Sequence, residues 1–230
     1  MSLEVEILAD DEWAEVAADR FTETIKGTER LCLATGSTTA PLYAAVAEKT
    51  GLDGLTMFLL DEFGGLPEDD PGRCETMIRR DLLSEATGRP RVRLPDVDAV
   101  DPDNEADRYG DQIGDGGLDL AIVGLGLNGH IGMNEPGSTA DLTTRVVELD
   151  PVTAENALSY GATATPTWGI TVGLAELLGA HELWLLVTGS HKGDILRRTL
   201  DESIGPDLPA TFLREHANAT LFADESALGV

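Results

Sequence analysis

Leu118-Asp119-Leu120-Ala121-Ile122-Val123 runs straight into Gly124-Leu125-Gly126-Leu127-Asn128-Gly129-His130. A six-residue, mostly apolar run with glycine-rich segments on both sides has the length and boundaries of a buried strand. Outward from it, strand-like and helix-like segments alternate. Val5–Leu8 reads as a strand. Asp10–Gly27 reads as a helix, with Trp13, Val16, Ala17, Phe21 and Ile25 at helical spacing, Asp10 or Asp11 as N-cap and Gly27 as stop. Strands follow at Leu31–Ala34 and Thr56–Leu60, separated by a helix at Thr39–Thr50. A helix at Arg73–Ala86, a strand at Arg91–Leu94 and a helix at Glu105–Ile113 lead into the opening strand. Beyond a less regular middle come a helix at Val172–Leu178, a strand at Glu182–Val187 and a helix at Lys192–Leu200. A short helix at Ala210–His216 and a strand at Ala219–Ala223 close the series.

Strands separated by single helices pair in parallel through crossovers. The expected fold is therefore α/β: an open, mostly parallel, Rossmann-like sheet with helices on both faces. No repeat or linker divides it, and the loop-rich Thr87–Asn104 is too short to do so. One domain over residues 1–230 is expected.

Composition narrows the function. The 230 residues carry 42 Asp and Glu against 16 Lys and Arg, a formal net charge of -26, yet 42% are hydrophobic. That hydrophobic share separates the chain from disordered acidic tails. Nucleic-acid binding is disfavoured because it needs a basic face, and so is adhesion to an anionic membrane. Lysine occurs only at Lys26, Lys49 and Lys192, so thirteen of the basic residues are arginine. Heavy acidity with scarce lysine fits a high-salt cytoplasm or a very GC-rich genome. Two cysteines suit a reducing compartment. No apolar run nears the ~20 residues of a membrane span, and the acidic N-terminus is unlike a signal peptide. A cytoplasmic protein is expected.

In an open parallel sheet, ligands bind beyond the carboxyl ends of the strands. Four polar segments fall there. Thr35-Gly36-Ser37-Thr38-Thr39 offers backbone N–H groups at a helix N-terminus to an anion; the plain alternative is a turn in which Ser37 or Thr38 caps the helix. Asp61-Glu62-Phe63-Gly64-Gly65 puts a carboxylate pair where a catalytic base belongs, or else forms a solvated turn. Gly124 to Gly137 crowds five glycines around His130, Glu135 and two amides, Asn128 and Asn134. Glycine disfavours a helix there and suits close backbone approach to a ligand. Histidine ordinarily titrates near neutrality, and Glu135 stands close enough in sequence to orient it. The spacing matches no zinc site with three protein ligands. Thr188-Gly189-Ser190-His191-Lys192-Gly193 sets one of the three lysines at a helix start, as an anion contact or as a chance lysine beside a cap.

Taken together, these segments resemble the glucosamine-6-phosphate deaminase (isomerase) family, which shares its fold with the 6-phosphogluconolactonases. The resemblance runs over nearly the whole chain in order. Asp61-Glu62 stands where the family has Asp-Glu-(Tyr/Trp), and Gly129-His130 through Asn134-Glu135-Pro136 is similar to its Gly-His-(Ile/Leu)-x-x-Asn-Glu-Pro signature. The lactonases carry Asp-Gly-His-Thr without Asn-Glu-Pro, so the deaminase side is favoured. The resemblance implies an enzyme acting on a small amino-sugar phosphate, with glucosamine-6-phosphate or galactosamine-6-phosphate converted to ketose 6-phosphate and ammonia. It implies His130, assisted by Glu135 and Asn128, as the ring-opening group and Asp61 as the base that moves a proton from C2 to C1. It also implies Thr35, Gly36, Ser37, Thr38, Glu62, Gly126, Gly129 and Lys192 as substrate or phosphate contacts. Neither metal nor organic cofactor is expected. A homo-oligomer stays open, since relatives range from hexamers to smaller assemblies.

The departures are specific. Asn128 replaces an aspartate found in many members, and a phosphate-contacting arginine near Ser159-Tyr160 is missing. Ser138 and Arg145 match positions of an allosteric anion site, but Val147 stands where its lysine would be. Pro71-Gly72-Arg73-Cys74-Glu75-Thr76 is most similar to the galactosamine-6-phosphate branch. Two other readings remain: a sugar-phosphate lactonase in which His130 activates water, and a non-catalytic sugar-phosphate sensor in which Asn128 has removed turnover.

Overall fold

The computed structural model describes residues 3–230. Among them the strands are β1 (Glu4–Leu8), β2 (Arg30–Leu33), β3 (Thr56–Leu59), β4 (Asp61–Phe63), β5 (Arg91–Arg93), β6 (Leu120–Gly124), β7 (Arg145–Glu148), β8 (Trp168–Thr171), β9 (Glu182–Val187) and β10 (Ala219–Asp224). The helices are α1 (Trp13–Thr24), α2 (Thr39–Lys49), α3 (Cys74–Ile78), α4 (Pro102–Gly114), α5 (Pro151–Ser159), α6 (Leu174–Leu178), α7 (Gly193–Asp201) and α8 (Glu225–Leu228).

Seven strands form one parallel sheet in the order β1-β10-β9-β6-β2-β3-β5. From β2 the chain steps outward to β3 and β5. It then returns to lay β6 against the other edge of β2 and steps outward again to β9 and β10. This reversal opens a crevice at the carboxyl ends of β2 and β6, where ligands bind in such sheets. Alternate residues of each strand face opposite layers. Leu31 and Leu33 pack with Phe21 of α1 and Leu42 of α2, whereas Cys32 and Ala34 pack with Tyr109 of α4 and Ile195 of α7. The expected parallel sheet with helices on both faces is therefore present.

The structure corrects several local expectations. Asp10 does not cap α1; its carboxylate accepts from the backbone N–H and hydroxyl of Ser226, and Val16 lies on the exposed side of the helix. The expected helix at Arg73–Ala86 is α3 followed by a π-helical turn at Arg79–Leu83, closed by the Ser84 amide donating to the Arg79 carbonyl. α4 starts three residues before the expected Glu105, because Asp101 accepts from the Asn104 amide and Pro102 takes the first turn. The helix expected at Lys192–Leu200 is α7, entered by a 3₁₀ turn over 190–192, whereas the short helix expected at Ala210–His216 is 3₁₀ over 209–215.

The larger omission is the middle of the chain. It holds β7, α5 and β8, and it builds a second, antiparallel sheet in the order β4-β8-β7. Asp61-Glu62 directly follows the strand expected at Thr56–Leu60 but does not extend it. Instead the chain leaves the main sheet after Leu60, whose amide still donates to Leu33, and pairs Asp61 with Thr171. That change of sheet lifts Asp61 to the rim of the crevice.

Candidate active site

Asp61 and Glu62 are successive residues of β4, so their side chains point to opposite sides. Asp61 lines the pocket over the crevice. Its carboxylate accepts from the Cys74 thiol, with Sγ 3.5 Å from Oδ1. Burial raises its pKa to about 6, against the opposing pull of the Cys74 hydrogen bond and of His130. Glu62 turns away. It is 2% exposed, and its two oxygens accept from the amides of Phe63, Cys74 and Glu75 at 2.8 to 2.9 Å. Burial raises its pKa to about 7 in spite of those three donors. The expectation that Glu62 contacts substrate is therefore corrected: its carboxylate braces the start of α3 and is spent on protein N–H groups.

The loop after β6 brings His130 to the other side of the same pocket. Gly126 makes this possible, because a β-carbon there would lie 2.3 Å from His130 Nε2. His130 Nδ1 lies 2.9 Å from Thr153 Oγ1 and 3.3 Å from Glu135 Oε2. The acceptor on Nδ1 fixes the tautomer and leaves Nε2 for the pocket. Asn128 completes the set: its Nδ2 donates to Glu135 Oε2 at 3.0 Å, and its Oδ1 accepts from the His130 amide at 3.1 Å. Burial pushes the Glu135 carboxyl up, but hydrogen bonds and charge from His130, with further bonds from Thr153 and Asn128, leave it below its ordinary value. It is thus a carboxylate whenever His130 needs a partner. Gly129 does not line the pocket; a β-carbon there would meet Leu208 Cδ1 at 2.0 Å, so its role is packing, which corrects the expected contact.

Between these walls lies an end lined by a helix start and an ammonium. Thr35, Gly36, Ser37 and Thr38 line the pocket ahead of α2. Thr38 occupies the N-cap of α2 without a side-chain capping bond, so the plain alternative of a capped turn does not hold and the positive end of the helix opens onto the pocket. Lys192 reaches in from the opposite side, its Nζ donating to the Leu125 carbonyl at 2.6 Å. Burial lowers its pKa. The rest of Thr188–Gly193 contributes less than the sequence suggested, since the Gly189 amide already donates to the Asp224 carboxylate. The pocket is a cleft open to solvent rather than an enclosed cavity.

Among the lining residues that the sequence did not reveal are Thr153, Asn156 and Tyr160, all on α5 or its end. Asn156 donates to the Tyr160 hydroxyl at 2.7 Å, and that hydroxyl would sit 3.1 Å from a β-carbon at Gly36. The aromatic ring thus roofs the Thr35–Thr38 loop. A signal for α5 was available in Asp150-Pro151, where the Asp150 carboxylate caps the Val152 amide at 2.8 Å. Away from the pocket lining, Arg145 donates to Ser138 Oγ and Asn134 Oδ1, so Ser138 and Arg145 do meet.

A family profile described as glucosamine-6-phosphate isomerases/6-phosphogluconolactonase matches residues 8–222. The glucosamine-6-phosphate deaminase of Rhodopirellula baltica is 37% identical over 237 residues, covering 98% of this chain and 94% of the relative. A solved monomeric glucosamine-6-phosphate deaminase superposes with a TM-score of 0.93 at 29% identity, covering 99% of both chains. The 6-phosphogluconolactonase of Trypanosoma cruzi superposes with a TM-score of 0.80 at 22% identity over 100% of this chain and 97% of its own, a likeness of fold alone. With the profile spanning most of its length, the chain belongs to the glucosamine-6-phosphate isomerase/6-phosphogluconolactonase family.

Proposed function

We propose that this chain is an amino-sugar-6-phosphate deaminase in which Asp61 is the proton-transfer base and His130 the ring-opening group. The observation that carries the reading is the pocket itself. A carboxylate with a pKa near 6 and a histidine anchored through Nδ1 face one cavity, whose far end is lined by Lys192 and the uncapped start of α2. The named relatives include glucosamine-6-phosphate deaminases, which supports an amino sugar as substrate.

The phosphate sits at the cationic end, held by the Lys192 ammonium and the N–H groups of the Thr35–Thr38 loop. His130 Nε2 takes the proton of the anomeric hydroxyl and returns it to the ring oxygen, which opens the sugar. Glu135 offsets the transient positive charge on the ring through Nδ1, and Asn128 and Thr153 hold Glu135 and His130 in register. Asp61 then takes the proton from C2, the C2–H electrons form the enolamine double bond between C1 and C2, and the displaced C1=O π pair takes a proton from the substrate's C2 ammonium to leave a hydroxyl on C1. The same carboxylic acid returns the proton to C1, leaving an imine at C2. Water adds there, the C–N bond breaks, and ammonia and the ketose 6-phosphate leave. Steps of this kind contribute about 10²- to 10⁴-fold each.

Asn128 is compatible with turnover on this reading, because it both donates to Glu135 and accepts from the His130 amide, so the orienting network is closed without a second carboxylate. Among the described residues no helix is long and apolar enough to cross a membrane, and Cys32 and Cys74 are free and buried, which supports a reducing, cytoplasmic setting. The test is the purified chain with glucosamine-6-phosphate, galactosamine-6-phosphate and 6-phosphogluconolactone, following ammonia, ketose phosphate and ester hydrolysis. Ammonia with ketose phosphate is the expected result. Lactone hydrolysis without ammonia, or tight binding without any product, contradicts it.

A further inference from the structure

Asp61 carries one side-chain hydrogen bond among the described residues, and its donor is a thiol. Cys74 opens α3 and is 2% exposed. Its position is fixed through the backbone. The Cys74 N–H donates to Glu62 Oε1 at 2.9 Å, and the side chain lines the pocket. Held in this way, the thiol has Asp61 Oδ1 as its acceptor. Burial pushes the Cys74 thiol well above its ordinary pKa, so the S–H is present whenever Asp61 is ionised.

A base that must move a proton between neighbouring carbons has to be aimed, and it has to stay basic. These demands conflict when the aiming group is a strong donor, because hydrogen bonds to the charged form of a carboxylate lower its pKa. Glu62, one residue away, shows the other cost of strong donors: three amides engage both its oxygens and hold it away from the pocket. Sulfur is a weak donor. We propose that Cys74 is a positioning residue for Asp61, whose weak S–H bond orients the carboxylate into the pocket while leaving it a competent base. The proposal rests on Asp61 being the base of the reaction proposed above. A purely structural cysteine, filling the space beneath α3, makes a different prediction.

Besides Cys74, the titratable groups coupled to Asp61 are His130 and Glu135 beyond β6, Cys32 on β2, Tyr43 on α2, Tyr109 on α4 and Tyr160 past α5. Substitutions at Cys74 leave all of these in place. The experiment compares the full-length wild type with Cys74→Ala and Cys74→Ser, and uses Cys74→Val as a second donor-free variant should the alanine form fold poorly. The Asp61 carboxyl is titrated by ¹³C NMR, assigned through its absence in Asp61→Asn, and the acid limb of kcat/KM is measured beside it. Loss of the donor should raise the Asp61 pKa by roughly half a unit and lower kcat several-fold. Serine should bring the pKa back to the wild-type value or below it and recover much of kcat. An unchanged titration in Cys74→Ala, or serine behaving like alanine, would overturn the proposal. An NMR shift that the acid limb does not follow has another meaning: it sustains the Cys74–Asp61 coupling and removes Asp61 as the base.

Discussion

Asp61 and Glu62 are adjacent carboxylic acids on one three-residue strand, both raised in pKa by burial, and the fold uses them in opposite ways. Glu62 accepts three backbone N–H groups and holds α3 in place. Asp61 has a single thiol donor and an open face on the pocket. The difference comes from the alternation of a β-strand and from where the chain changes sheets. A satisfied carboxylate supports structure, whereas one left short of donors is available for chemistry at some cost to stability.

The comparison breaks most visibly in turnover. Asp61→Asn should lower kcat by about 10³-fold or more while substrate affinity stays nearly unchanged; retained turnover would remove Asp61 as the base. Glu62→Gln, in contrast, should keep turnover within several-fold. In unfolding by urea the two should differ as well. At pH 8, Glu62→Gln leaves one of three amide donors without its acceptor, a loss of about 1–3 kcal/mol that offsets the gain expected from neutralising an acid with a raised pKa. Asp61→Asn should gain on the order of 1 kcal/mol there. The sign follows from linkage: an acid whose folded pKa is raised supports folding in its protonated form. The Asp61 contribution is therefore fully present below the ordinary aspartate value of 3.8 and lost as pH rises through about 6. An Asp61→Asn protein less stable than wild type at pH 8 would contradict this.

Smaller effects sharpen the same picture. Lys192→Ala should raise KM far more than it lowers kcat if its ammonium holds the non-reacting phosphate as proposed; a fall in kcat alone would show that its role is wrong. The acid limb of kcat/KM should follow an apparent pKa near 6, set by Asp61. The smallest effect expected is ionic. With a net charge of -26 the long-range field repels an anionic substrate. Added salt should therefore raise kcat/KM at first, before the contacts at Lys192 weaken. A monotonic fall from the lowest salt would count against it.

The parallel sheet was legible because β2, β3, β6 and β9 are short apolar runs that meet polar, glycine-containing segments at their carboxyl ends. The same contrast pointed to the Thr35 loop, Asp61, His130 and Lys192. What could not be read was orientation. Asp61-Glu62 is a pair in sequence, and only the strand pleat and the pairing of Asp61 with Thr171 separate a base from a brace. Gly129 read as a ligand-facing glycine for want of any view of Leu208 above it. The small antiparallel sheet and α5 went unseen because Arg145–Glu148 and Trp168–Thr171 are four-residue strands with weak periodicity, paired across twenty residues or more. Their loss hid Thr153, Asn156 and Tyr160 together.

The division of labour between the two carboxylates can be measured at the reacting carbon. Each protein is mixed with amino-sugar 6-phosphate carrying deuterium at C2, and NMR follows the label. Wild type and folded Glu62→Gln should move deuterium from C2 to C1 or to solvent, and Asp61→Asn should leave it at C2 with substrate still bound. Label loss in Asp61→Asn, or its arrest in a folded Glu62→Gln, would contradict the account.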